Sequence, residues 1–220
     1  MKEQYFGDIK DFYKFFFLKN IIHEYKLGIN WCLTSKDKSN EGNDKVINYP
    51  ELENEDKNLY KILAEGKFSN IEIKYFNHNT KYYTEEHKEF HKEYIYEKAA
   101  FSELKNQDVI FFDPDNGIEM PSKSLSERYK YISYRTISKY WNINRTLIIF
   151  QYKDHQKYSL KTKKENLCSC LGCKSSDILI INSKYVYYIC IINKQHEKIK
   201  KYIHAFCNEY LKLGFEIVNI

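Results

Sequence analysis

Two aspartates, an asparagine and a glutamate fall within seven residues of this chain. They are Asp113, Asp115, Asn116 and Glu119, in the run Asp-Val-Ile-Phe-Phe-Asp-Pro-Asp-Asn-Gly-Ile-Glu from Asp108 to Glu119. Carboxylates this close can hold a hard divalent cation or exchange protons, and an amide can orient a polar substrate. The four residues ahead of Asp113, Val109 to Phe112, are β-branched or aromatic and apolar, which reads as a strand buried on both faces. The abrupt change to Asp-Pro-Asp-Asn-Gly is a turn by composition. Asp113 and Asp115 should therefore stand at the carboxyl end of a central strand, the end at which open α/β sheets bind ligands. Glu119 follows within reach of the same edge. A plain turn accounts for Asp, Asn and Gly singly, but so many polar side chains straight after a buried strand suit a ligand or catalytic site.

A second buried strand, Thr146 to Gln151, ends in the polar run Gln151-Tyr-Lys-Asp-His155. If the two strands are parallel neighbours, Gln151 and His155 face Asp113 and Asp115 across a cleft. A third contribution comes from the loop after the first strand, where Thr34 leads into a polar stretch over 35–50. Gly42 and its neighbours Asn40, Glu41, Asn43 and Asp44 could contact a ligand there, or the stretch is a solvated surface loop.

These residues need a frame. Apolar residues at helical spacing predict a helix over 9–26, with Asp8 as its N-cap, followed by a first strand at 29–33. A short helix is expected over 51–65, and alternation in Ile71 to Phe76 predicts a second strand. A long helix is expected over 84–105, and another over 129–141. Residues 156–176 show no clear periodicity. Strands at 177–181 and 185–192 flank a hairpin signal, a helix covers 194–212, and 215–218 forms a last strand. With no repeat and no low-complexity linker, one domain spans 1–220.

Composition narrows the classes. The 220 residues are 43% hydrophobic and 30% charged, which describes a globular chain able to bury a full core. No apolar run approaches a membrane span and the N-terminus is not a signal peptide, so no membrane partner and a cytoplasmic location are expected. The net charge of +5 permits nucleic acid as a partner, and the 21 Tyr and 14 Phe could stack on bases. Oligomeric state is not legible. Cys32, Cys190 and Cys207 read as small core residues. Cys168, Cys170 and Cys173 have a spacing that suggests metal before disulfide, but a fourth ligand is missing, with His155 the nearest candidate. His87 and His91 stand at i,i+4 without the His-Glu-x-x-His pattern, so a surface face is the simpler reading.

The order of elements matches the Rossmann-like methyltransferase architecture. Gly7-Asp8-x-x-Asp11-Phe12-x-Lys14 before the first helix resembles the opening of bacterial ribosomal-RNA adenine-N6 methyltransferases, and Asp113-Pro114-Asp115-Asn116 stands where that family carries Asp-Pro-Pro-Tyr. The chain also resembles an uncharacterised bacterial group with an Asp-Pro-Asp-Asn-Gly-x-Glu motif. The resemblance implies a single Rossmann-like three-layer α/β domain, with a mostly parallel sheet and an antiparallel C-terminal edge. It implies S-adenosylmethionine as cofactor, with Asp8, Asp11, Lys14, Thr34 and Gly42 on the cofactor side. Asp113 would then accept hydrogen bonds from a nucleic-acid amine that Asn116 orients. Two departures stand out: Asn116 replaces the base-stacking aromatic, and the first strand lacks a Gly-rich turn. The acidic run itself supports a different enzyme, a nuclease or phosphodiesterase in which Asp113, Asp115 and Glu119 bind Mg²⁺ or Mn²⁺, Lys123 or Lys153 steadies the phosphate and His155 acts as base. A non-catalytic nucleotide- or protein-binding module needs neither set.

Overall fold

Val109–Phe112 is buried at every residue and forms a strand near the middle of a seven-stranded mixed sheet. The computed structural model describes residues 5–35, 45–76, 79–86, 93–120, 125–153 and 157–220. Its strands are β1 (Leu27–Asn30), β2 (Lys81–Tyr83), β3 (Val109–Phe112), β4 (Thr146–Tyr152), β5 (Ile178–Asn182), β6 (Val186–Ile191) and β7 (Glu216–Ile217), in the spatial order β2-β1-β3-β4-β6-β5-β7. β2, β1, β3 and β4 are parallel. β6 runs antiparallel between β4 and β5, and β7 closes the edge antiparallel to β5.

Seven α-helices are present among the described residues: α1 (Ile9–Ile22), α2 (Lys57–Ala64), α3 (Phe68–Lys74), α4 (Glu93–Leu104), α5 (Tyr134–Trp141), α6 (Lys157–Leu171) and α7 (Lys198–Glu209). Successive strand residues point to opposite faces, and the core divides accordingly. Ile29, Phe111, Ile148 and Tyr188 pack with α1, α2, α3 and α7. Ile110, Phe112, Leu147 and Ile189 pack with α4, α5 and α6. The chain leaves β1 through α2 and α3 to reach β2 on one side, then returns through α4 to β3 on the other side of β1. Strand order therefore reverses between β1 and β3. No helix among the described residues is long and apolar enough to cross a membrane.

Two stretches differ from their sequence patterns. Ile71 to Phe76 alternates like a strand, yet Phe68–Lys74 is helical. Ile71 and Tyr75 are buried while Ile73 is 76% exposed, so burial follows i,i+4 spacing and not period two. The strand position beside β1 is taken instead by Lys81–Tyr83. Residues 157–171, without obvious periodicity, form α6, because its inward stripe of Leu160, Lys163 and Leu167 includes a lysine only 1% exposed. A buried lysine stem fills an apolar position while hiding the pattern. The remaining differences are boundaries. α1 ends at Ile22 and not at residue 26, β1 begins at Leu27, the region 51–65 divides into a 3-10 turn and α2, and α5 starts at Tyr134. α4, expected from residue 84, is described from Glu93, with 87–92 (His87 and His91 among them) outside the described residues.

Candidate functional site

The first helix begins at the carboxyl edge of the sheet, and its opening motif is a cap. Asp8 Oδ1 accepts from the Asp11 backbone N–H at 3.0 Å, as a helix N-cap does. Asp11 Oδ2 reaches back to the Gly7 N–H at 2.9 Å, in the manner of a capping box. Gly7 has φ +89°, and a Cβ there would meet the Leu63 carbonyl oxygen at 2.6 Å. Two turns of helical spacing then bring Lys14 beneath the strand ends. Its Nζ donates to Asp11 Oδ1 and to Asp113 Oδ2, both at 2.7 Å, and all three side chains are at most 5% exposed. Lys14 thus couples the opening motif to the Asp-Pro-Asp-Asn-Gly turn, 99 residues apart.

This cluster sets three carboxylates, Asp8, Asp11 and Asp113, around one ammonium. Burial works to neutralise Lys14, but Asp11 and Asp113 outweigh it and hold the ammonium above its ordinary pKa. Burial pushes Asp113 up against the pull of Lys14. Asp8 is raised from 3.8 to about 7, first by burial and then by Asp11, with Lys14 and Lys10 opposing. Burial thus moves the Asp8 carboxyl toward neutral pH. The Phe150 ring lies 4.9 Å from Lys14 Nζ and forms one wall.

The turn after β3 is built by backbone bonds and one buried amide. Asn116 N–H donates to Lys130 C=O, Ile132 N–H to Gly117 C=O and Glu119 N–H to Ile132 C=O. Gln151, fully buried, accepts from the Ile118 N–H through Oε1 at 3.0 Å. Gly117 has φ +82° and lies so close over this amide that a Cβ would sit 2.2 Å from Gln151 Oε1. β3 and β4 are parallel neighbours as the sequence suggested, but Gln151 does not face Asp113. Strand alternation sends Phe150 to the Lys14 side and Gln151 to the opposite face, where it supports the turn.

The carboxylates of the turn take separate partners. Asp113 pairs with Lys14, Asp115 Oδ2 accepts from Thr34 Oγ1 at 2.5 Å, and Glu119 Oε1 accepts from the Tyr134 N–H at 2.8 Å at the start of α5. Among the described residues no group of three His, Cys, Asp or Glu is arranged to hold a metal ion. Cys170 meets Ser138 at 3.2 Å, whereas Cys173, pushed up to about 12 by burial and its neighbour Cys168, pairs with that thiol.

The Thr34–Asp115 bond joins the loops that leave β1 and β3, where strand order reverses. Several residues here carried no sequence signal. Asn30 Oδ1 accepts from the Cys32 N–H at 3.0 Å and the Tyr96 O–H at 2.7 Å. Cys32, expected to be plain core, has φ +46°, a left-handed backbone seldom adopted outside glycine. The chain turns sharply here without the Gly-rich sequence whose absence the motif comparison exposed. On the α4–α5 side, Asn30, Cys32, Tyr96, Glu97 and Tyr131 line a narrow crevice. Glu97, 7% exposed, accepts from Ser133 and Thr136 and pairs with Arg135 at 2.7 Å and Lys139 at 3.2 Å. Burial would raise its pKa, but these hydroxyls and cations hold it below the ordinary carboxylate value. A polar residue inside a buried strand, Asn30, was the one available hint.

Of the residues singled out by sequence, Asp8, Asp11, Lys14 and Asp113 form one cluster, and Thr34 and Asp115 form an adjoining pair. Asn116 is half-buried in the same turn, while Gln151 and Glu119 point into its scaffold. Gly42, His155 and Lys123 lie outside the described residues. Comparison with protein-family models, curated proteins and solved structures finds no match to this chain.

Proposed function

We propose that this chain is a Rossmann-like S-adenosylmethionine-dependent methyltransferase acting on a nucleic-acid amine at the carboxyl ends of β1 and β3. The observation that carries the reading is the reversal of strand order between those strands, with the loops leaving them joined by Thr34 and Asp115. Open α/β sheets bind ligands at such switch points. The parallel strands with an antiparallel pairing toward the C-terminal edge agree with the architecture that the sequence resemblance implies.

The residues present suit the cofactor. Asn30, Thr34, Asp115 and Tyr96 supply hydroxyl, amide and carboxylate groups of the kind that hold a ribose and an amino-acid moiety. The left-handed Cys32 supplies the close backbone turn that glycine provides elsewhere, and strained backbone of this kind clusters at ligand sites. When bound, the cofactor supplies the electrophilic methyl group. The protein's share is positioning and a preorganised field. Lys14 fixes the Asp113 carboxylate at the strand end, and Asn116 orients the amine. The Mg²⁺- or Mn²⁺-dependent phosphodiesterase would need Asp113, Asp115 and Glu119 to abandon three separate partners and turn to one point.

Calorimetric titration with S-adenosylmethionine tests the reading. Saturable binding at micromolar concentration, weakened at least tenfold in Asp115→Ala, is the expected result. No heat up to millimolar cofactor overturns it, and Mg²⁺ binding that is lost in Asp113→Asn would transfer the site to the phosphodiesterase.

A further inference from the structure

The family resemblance left the site without an aromatic platform, because Asn116 stands where a stacking ring is expected. An aromatic side chain on β4 stands close to the buried Lys14–Asp113 pair. Tyr152, at the carboxyl end of that strand, is 39% exposed, and its ring packs on Phe150 at 5.2 Å between centroids. Phe150 in turn contacts the ammonium of Lys14, which holds Asp113. Tyr152 is therefore the exposed end of a continuous path to the buried cluster.

One lysine stands over this ring, and a second lysine–aromatic pair stands on the other face of the same strand end. Lys10 Nζ stands 5.5 Å over the Tyr152 ring. The next residue, Lys153, is exposed, lies 5.3 Å from the Tyr187 ring and donates to the Lys184 carbonyl at 3.1 Å, which brings a third lysine alongside. Register explains the grouping. Gln151 pairs with Tyr187 and Tyr152 with Val186, so the end of β4 and the start of β6 meet at one edge. Among the described residues Glu216 stands near Lys153 and accepts from Asn182 at 2.7 Å, and the carboxylates of Asp8, Asp11 and Asp113 lie on the Tyr152 side.

Aromatic faces interleaved with cations fit one kind of partner well. Bases stack on rings regardless of sequence while lysines meet the phosphates. The geometry points to a docking surface for single-stranded nucleic acid along this edge, with Tyr152 as the base-stacking residue and Lys10, Lys153 and Lys184 as phosphate contacts. This names the substrate class and its path for the site proposed above and rests on that reading, but binding is measurable without turnover.

The test is fluorescence anisotropy of labelled single-stranded RNA and DNA 15-mers against the full chain across a salt series. Tyr152→Ala should weaken binding by roughly 5- to 150-fold, the range for loss of one stacked base. Lys153→Gln with Lys184→Gln should flatten the slope of log affinity against log salt by about 1.4, at about 0.7 per phosphate contact on a single strand. Lys198→Gln, an exposed lysine at the start of α7 that pairs with Glu24, should change neither. Unchanged denaturation midpoints exclude misfolding as the cause. Three results would overturn the proposal: no binding at low salt, equal effects from Lys198→Gln, or binding indifferent to Tyr152 and matched by heparin. Oligonucleotide binding without cofactor binding would retire the methyltransferase and keep the surface. Cofactor binding without oligonucleotide binding would do the reverse.

Discussion

Replacing Lys14 by Met should produce the largest loss of stability of any single substitution in the α1–β3 contact. Methionine matches the stem in length and keeps its packing, so the change removes chiefly the ammonium. That ammonium holds two carboxylates at 2.7 Å in a region where none of the three side chains exceeds 5% exposure. Breaking a buried pair costs about 3–5 kcal/mol, because it strands the partner's charge. Here two charges are stranded, so the upper part of that range is expected, a large share of the roughly 5–15 kcal/mol that a domain possesses. The variant can escape by protonating Asp113 in the folded state, where burial already pushes that carboxyl up and Lys14 no longer opposes it. The native state then binds more protons than the unfolded one, so its stability must fall as pH rises above about 4 and recover on acidification. Urea unfolding followed by the fluorescence of Trp31, fully buried against Phe15 and Phe68, reports the transition. The variant should lose about 3–5 kcal/mol at pH 7.5 and markedly less at pH 5, and adding Asp113→Asn should restore part of the loss. A loss under about 1 kcal/mol, or one that does not depend on pH, would refute the claim that Lys14 neutralises this cluster.

Two further outcomes follow from the same edge. Asp8, raised from 3.8 to about 7, stays protonated in the fold where the unfolded chain has ionised, so it makes stability fall as pH rises between those values. The full effect is about 4 kcal/mol at about 1.4 kcal/mol per pH unit. Asp8→Asn retains an N-cap and should flatten this slope in urea midpoints taken from pH 4 to 8; a slope identical to wild type would locate the titration elsewhere. Gly117→Ala adds a Cβ at positive φ and against Gln151, and should cost at least about 2 kcal/mol. Pairing it with Gln151→Ala should recover the clash but not the backbone strain, and full additivity of the two losses would count against the contact.

Local patterns in this chain determined the elements that organise the site. Val109–Phe112 and Thr146–Gln151 are apolar runs too short for helices, so each had to be a buried strand ending in polar residues. Asp8 before a helical repeat had to be a cap. Those inferences rest on interactions within a few residues, which spacing alone encodes. Tertiary structure decided what spacing cannot. Ile71 to Phe76 alternates, yet Phe68–Lys74 is helical, because burial in the core selects Ile71 and Tyr75 and leaves Ile73 outside. α6 escapes detection because Lys163 occupies an apolar position. Asp113 and Gln151 look like partners across a cleft, but the pleat sends them to opposite faces, one to Lys14 and the other to the Gly117 turn. The bond from Lys14 to Asp113 spans 99 residues and depends on α1 packing on the face of the sheet that carries Ile29, Phe111 and Ile148. A sequence states which residues carry charge and which prefer to turn. Which charges are buried together is set by the packing of helix on sheet, and that packing gives this cluster its shifted protonation.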